Sequence, residues 1–129
     1  MLLSDYEIVY YQDSGNGRRP VEEYLAAVPE QERRKLAKFI DVLKARGGYL
    51  DEPYSRKVLG TPFRELIVNF GRRGHRVFYF TTIGKRIILL HAYAKTTQKT
   101  PRREIDKGLG NYNDFISYDQ GTHQAPQFR

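Results

Sequence analysis

The spacing of apolar positions changes character twice along this chain. Tyr6, Ile8, Val9, Tyr10 and Tyr11 crowd aromatic and β-branched side chains into residues 6–12, which predicts a strand. Residues 13–17 form a turn cluster. Pro20 then opens a short helix to Ala27, with Glu22 and Glu23 in the first turn, where the helix dipole favours acid. After Pro29 the period is helical. Leu36, Phe39, Ile40 and Leu43 fall at i, i+3, i+4 and i+7 and make one apolar stripe, which Gly47 and Gly48 terminate.

Beyond a polar linker at 49–56 the period becomes two. Residues 57–59 read as a short strand. Residues 63–70 alternate, with Leu66, Val68 and Phe70 on one face and Glu65, Ile67 and Asn69 on the other. A hairpin loop at 71–74 leads to a strand at 75–82. A turn at Ile83 and Gly84 leads to a third long strand, 85–93. That strand carries IILL at its centre and is expected to be the most buried. Pro101 opens a last helix that is expected to end near Leu109, beside Gly108 and Gly110. Residues 111–129 show no clear period and are expected to be irregular.

The predicted order is β-α-α-β-β-β-β-α, an α+β fold. Consecutive strands joined by short loops imply a small antiparallel meander. The two N-terminal helices would cover one face, leave the other partly open, and be joined by a short C-terminal helix. Residues 1–110 read as a single domain and 111–129 as a tail without an assigned role.

Composition narrows the class. At 129 residues, 40% of them hydrophobic, the chain is long enough to bury a core without a metal or disulfide staple. It has no Cys, so disulfides and thiolate metal sites are excluded and a cytoplasmic setting is expected. The first residues lack a basic segment followed by a long apolar one, so they do not read as a secretion signal. No apolar run nears the roughly 20 residues of a membrane span. His75, His91 and His123 lack metal-ligand spacing, and no glycine-rich loop joins a strand to a helix. No metal or cofactor is expected.

Charge changes the picture most. Residues 1–55 hold eight Lys/Arg against ten Asp/Glu. Residues 56–110 hold thirteen Lys/Arg against Glu65, Glu104 and Asp106 alone, a local balance of +10 within a net charge of +7. Positive charge confined to the strand-rich half is the footprint of a polyanion partner, and nucleic acid is the obvious one.

Specific strings lie inside this basic half: KVLG at 57–60, FREL at 63–66, RVFYF at 76–80 and HAYAKTTQKTP at 91–101. Together they resemble the RelE/ParE toxin superfamily, and most closely its HigB-like, phage-derived branch, over about residues 5–108. The resemblance implies the toxin of a type II toxin–antitoxin pair. Its implied activity is metal-free, ribosome-dependent mRNA cleavage, in which the ribose 2′-OH attacks the adjacent phosphate and leaves a 2′,3′-cyclic phosphate. It also implies two partners, mRNA on the ribosome and a helix-turn-helix, HigA-like antitoxin, with no membrane. Two other readings stay open: a ParE-like toxin that inhibits gyrase by binding, and a non-catalytic RNA-binding domain.

Such chemistry needs a proton acceptor, cations for the phosphorane and a proton donor for the leaving oxygen. The catalytic candidates are Arg76, His91, Tyr93 and Lys95. Arg76 stands early in its strand, where the resemblance implies a phosphate-stabilising Arg. His91, Tyr93 and Lys95 share strand parity, so all three can point one way. His91 reads as a proton carrier, although a lone His in an apolar strand is more often a satisfied core residue, and Tyr93 reads as core packing or a stacking or proton-transfer group. Lys57, Arg64, Arg72, Arg73, Lys99, Arg102 and Arg103 are the candidate RNA- and phosphate-binding residues, Arg72 and Arg73 as non-specific contacts. Glu65 could act as a base, with pairing to a nearby cation its blander use. Ile67 and Asn69 depart from the pattern, because relatives often carry basic residues at those outward positions.

Overall fold

The computed structural model describes residues 5–95 and 99–119. The elements run β1 (Glu7–Tyr10), α1 (Pro20–Ala27), α2 (Glu30–Ala45), β2 (Ser55–Lys57), β3 (Arg64–Phe70), β4 (Arg73–Thr81), β5 (Arg86–Lys95) and α3 (Arg102–Tyr118). The α+β class and the element order follow the sequence reading. The expected turns sit in place, including the α2 stop at Gly47, which adopts φ +67°.

Four features differ from expectation. The short strand β2 lies at Ser55–Lys57 rather than at 57–59, because its register with Arg64–Leu66 of β3 sets its place. The sheet is mixed rather than a plain antiparallel meander. Its order is β1-β5-β4-β3-β2, and β1 pairs parallel with β5 at one edge. The second sheet face is not open, because α3 lies across it. And α3 is not short: it spans 17 residues and continues to Tyr118 through a stretch expected to be irregular. The rest of that stretch, 120–129, lies outside the described residues, as do Thr96, Thr97 and Gln98 of the HAYAKTTQKTP string.

The physical reason lies in the core. On one face α1 and α2 bury Val21, Leu36, Ile40 and Leu43 against Leu66, Val68, Val77, Tyr79, Ile87 and Leu89. On the other, α3 lays Tyr112 and Phe115, flanked by Ile105, Leu109 and Ile116, on Phe63, Phe78, Phe80, Ile88 and Leu90. Ile87 to Leu90 are all fully buried. A continuous apolar run of this kind belongs to a strand covered on both faces. Gly108 is what lets α3 approach. A Cβ there would stand 2.7 Å from Phe78 Cδ2 and 2.9 Å from Phe63 Cζ.

The far end of α3 is fastened to the body. Asp114 accepts hydrogen bonds from Tyr11 Oη (2.7 Å), Ser14 N (3.0 Å) and Ser14 Oγ (2.6 Å). Arg86 forks onto Asp119, with contacts of 3.0 and 2.6 Å. No helix among the described residues is long and apolar enough to cross a membrane.

Candidate functional site

The basic residues of β2 to β5 do not form one patch. Strand alternation divides them between the two faces. Of those on the α3 face, Arg86 pairs with Asp119, and Arg56, Arg76 and Lys95 gather on Glu65. This carboxylate is fully buried at the centre of β3. Register sets Arg56 of β2 beside it, and Phe78 of β4 on its other side. Arg56 Nε lies 3.2 Å from Glu65 Oε1, and Arg76 Nε lies 3.9 Å from the same oxygen. Tyr93 Oη donates to Oε2 at 2.7 Å and Thr100 Oγ1 to the same atom at 3.3 Å. Lys95, which follows Tyr93 on the same face of β5, is buried within electrostatic reach of Glu65, Arg56 and Arg76. Three cations therefore share one carboxylate.

Burial shapes the electrostatics. Desolvation holds the Arg76 guanidinium below its ordinary pKa, against the opposing pull of Glu65. Its Nη1 reaches the His75 carbonyl at 3.3 Å, but its buried Nε finds no hydrogen-bond partner among the described residues. A buried unpaired donor is costly in a native protein, and the nearest carboxylate oxygen, Glu65 Oε1, lies 3.9 Å away. Lys95 is likewise lowered by desolvation. Tyr93 is raised, first by burial and then by its bond to Glu65, so its phenol stays protonated.

Next to this cluster, Tyr93, Ala94, Lys95, Pro101, Arg103, Glu104 and Arg73 line an open cleft of about 370 Å³ between the end of β5 and the start of α3. His91 lies below it rather than in its wall. It stacks on Tyr93 with ring centroids 5.9 Å apart and meets Glu104 Oε1 through Nε2 at 2.6 Å. Burial lowers its pKa more than Glu104 raises it. Glu104 is lowered in turn: burial pushes it up, but its bonds to His91 and Arg103 outweigh that.

The remaining candidates separate in space. Arg64 points to the α1–α2 face, where Nε donates to Ser55 Oγ at 2.9 Å and the guanidinium lies 5.1 Å from the Tyr49 ring centre. Lys57 and Arg64 line a separate groove with Pro62, Phe63, Tyr79, Phe80 and Thr81. Arg72 is exposed in the β3–β4 turn, and Lys99 is exposed before α3. Arg102 pairs with Asp106 at 3.0 Å on the outside of α3. Arg73 and Arg103 are the two that reach the cleft wall. Arg56 and Thr100 were not among the expected residues. For Arg56 the only sequence signal is its position beside Lys57 in a basic pair, because strand parity relative to Glu65 depends on register. Among the described residues no group of three or more His, Asp or Glu converges as a metal ligand set.

These features define a small α+β domain with a cationic cleft assembled on a buried glutamate. The sequence profile of the phage-derived Gp49-like (DUF891) family matches residues 23–113, and the chain belongs to that family, a member of the RelE/ParE-like toxins of toxin–antitoxin systems. Membership implies an antitoxin partner. No curated protein was found to match the sequence.

Proposed function

We propose that the protein is a HigB-like toxin that cleaves mRNA on the ribosome by metal-free attack of a ribose 2′-OH on the adjacent phosphate. The observation that carries this reading is the cluster of Arg56, Arg76 and Lys95 around Glu65, which borders a cleft lined by Lys95, Arg73 and Arg103. A phosphodiester in the cleft would meet Lys95 directly, with the Arg76 and Arg56 charges behind it. The cations would stabilise the extra negative charge of the phosphorane in a partly desolvated setting, where such stabilisation is strongest.

The proton inventory fits the cleft. Lys95, lowered by burial, has an enlarged neutral fraction and takes the proton from the 2′-OH. Tyr93 keeps its proton and gives it to the departing 5′-oxygen, an alkoxide far more basic than any phenolate. Glu65 then disfavours the Tyr93 phenolate, which returns the proton from Lys95 and resets the site. Glu65 itself holds Arg56, Arg76 and Tyr93 in place, and His91 supports Tyr93 from below. The ribosome supplies the alignment of the RNA.

Brief induction followed by sequencing of RNA 5′ ends tests the proposal. The expected result is growth arrest with new mRNA ends that appear only in translated regions. Arg76→Ala combined with Lys95→Ala should abolish both. Full toxicity of that double variant would refute the site. Intact mRNA together with blocked DNA supercoiling would replace the reading with a gyrase inhibitor.

A further inference from the structure

The face of the sheet opposite Glu65 carries a second buried polar chain. Tyr24 of α1 meets His75 Nδ1 at 2.6 Å, and His75 Nε2 meets Glu32 Oε1 of α2 at 2.6 Å. The second Glu32 oxygen lies 3.3 Å from Arg73 Nη2. His75 is 1% exposed and Glu32 4%. Apolar side chains would fill this space at lower desolvation cost, so the core does not require the chain.

The chain has a direction. Nε2 of His75 faces the Glu32 carboxylate and Nδ1 faces the Tyr24 hydroxyl. Burial, then the Glu32 charge, push the Tyr24 hydroxyl up to about 12, which keeps it a donor. Every polar atom inside is then used except the outer oxygen of Glu32, which is turned to Arg73. Arg73 is half-exposed and belongs to the cleft wall with Lys95 and Arg103. Its neighbour Arg72 is exposed in the turn and makes no ion pair among the described residues. An Arg already held by a carboxylate loses less side-chain freedom on meeting a phosphate. His75 also presents its carbonyl to Arg76 Nη1. One residue therefore ties cations on both faces of the sheet end.

Resting on the nucleic-acid reading above, we propose that Arg73 and Arg103 form a second phosphate subsite, which takes the phosphodiester next to the one at Arg76 in a single-stranded RNA. Glu32, His75 and Tyr24 are its positioning residues. Arg73 is then a specific contact, set apart from Arg72.

The test is binding of a short, fluorescein-labelled 2′-O-methyl RNA, which cannot be cleaved, at salt concentrations between about 50 and 200 mM. Arg73→Ala should weaken binding about 3- to 10-fold and flatten the log K against log salt slope by about 0.7, one phosphate contact. Glu32→Gln should weaken it to a similar degree, and the double variant should be no worse than Arg73→Ala alone. Lys85→Gln, the same loss of charge in the β4–β5 turn at the opposite end of the sheet, should leave the slope nearly unchanged. A slope for Arg73→Ala that matches Lys85→Gln, or additive losses in the double variant, would overturn the proposal. If thermal melts show Glu32→Gln unfolded, Tyr24→Phe replaces it. An undiminished Arg73 contribution in that variant would overturn the positioning role. Wild-type protein that fails to bind this RNA refutes the subsite, while the cleavage reading stands or falls on the RNA 5′ ends. RNA binding lost in Arg76→Ala but untouched in Arg73→Ala refutes the subsite alone.

Discussion

Glu65 is where a single residue decides most. It is the one acid within β2 to β5, and it is fully buried among Arg56, Arg76, Lys95 and Tyr93. Glu65→Gln would remove the carboxylate charge that Arg56, Arg76 and Lys95 share. Since Arg56 is 41% exposed, water offsets part of the loss. A destabilisation of about 1–3 kcal/mol is expected in urea unfolding. Tyr93 should ionise at lower pH in the variant, which ultraviolet titration reads. Unchanged tyrosine titration would mean that the Tyr93–Glu65 bond does not persist in solution. The His91–Glu104 pair sets a pH response. Burial lowers His91 below its ordinary 6.5, so the unfolded chain binds more protons as pH falls through that value. Glu104 is lowered below 4.5, and its contribution is present above that pH and lost as pH falls further. Stability should therefore decline on acidification, starting near pH 6.5. His91→Gln should flatten the upper part of the decline in melts recorded across that range.

At the scale of the element, α3 was the least legible part of the chain. Ile105, Leu109, Tyr112 and Ile116 keep a helical spacing, and Phe115 shares their face. Gly108 and Gly110 interrupt that pattern in sequence and read as a stop. Only packing separates their roles. Gly108 is buried where the helix meets Phe63 and Phe78, whereas Gly110 is exposed and a Cβ there would meet nothing within 4 Å. Gly110→Ala should stabilise the protein by about 0.5–1 kcal/mol, the helix-propensity gain. Gly108→Ala should cost about 1–3 kcal/mol, since two aromatic rings must move. Equal thermal shifts for the two would show that α3 does not sit tightly on the sheet. The longer strands and the first two helices were legible because period and punctuation agree there, whereas β2 was expected two residues too late. Tyr6 to Tyr11, the Pro20 and Pro29 starts, and IILL in β5 each carry their structure locally.

For the molecule as a whole, the +10 segment resolves into distinct populations. Arg56, Arg76 and Lys95 surround Glu65, while Arg73 and Arg103 stand at the cleft. Arg64 lies on the opposite face with Lys57 in its groove, and Arg102 is held by Asp106 outside α3. A partner antitoxin with an acidic segment would mask the cleft and neutralise it in one step. Toxin–antitoxin affinity should then fall as salt rises, measured by calorimetry at several ionic strengths. A salt-independent affinity would place the main contact on an apolar surface instead. The charge count of the chain pointed to a polyanion, and the strings at 76–80 and 91–101 pointed to Arg76, Tyr93 and Lys95 within it. Arg56 was not legible, because nothing local says which strand will lie beside Glu65.

The sequence by itself determined the order of the elements, the basic half and the residues of the toxin-like strings. These depend on period, turn chemistry and composition, which are properties of neighbouring residues. Tertiary structure decided the parallel place of β1, the covering of the second face by α3, and the division of like charges between two faces. It also decided that one buried glutamate would hold the cleft. Those outcomes turn on strand register and on aromatic packing against Gly108, contacts between residues far apart in the chain that no local pattern encodes.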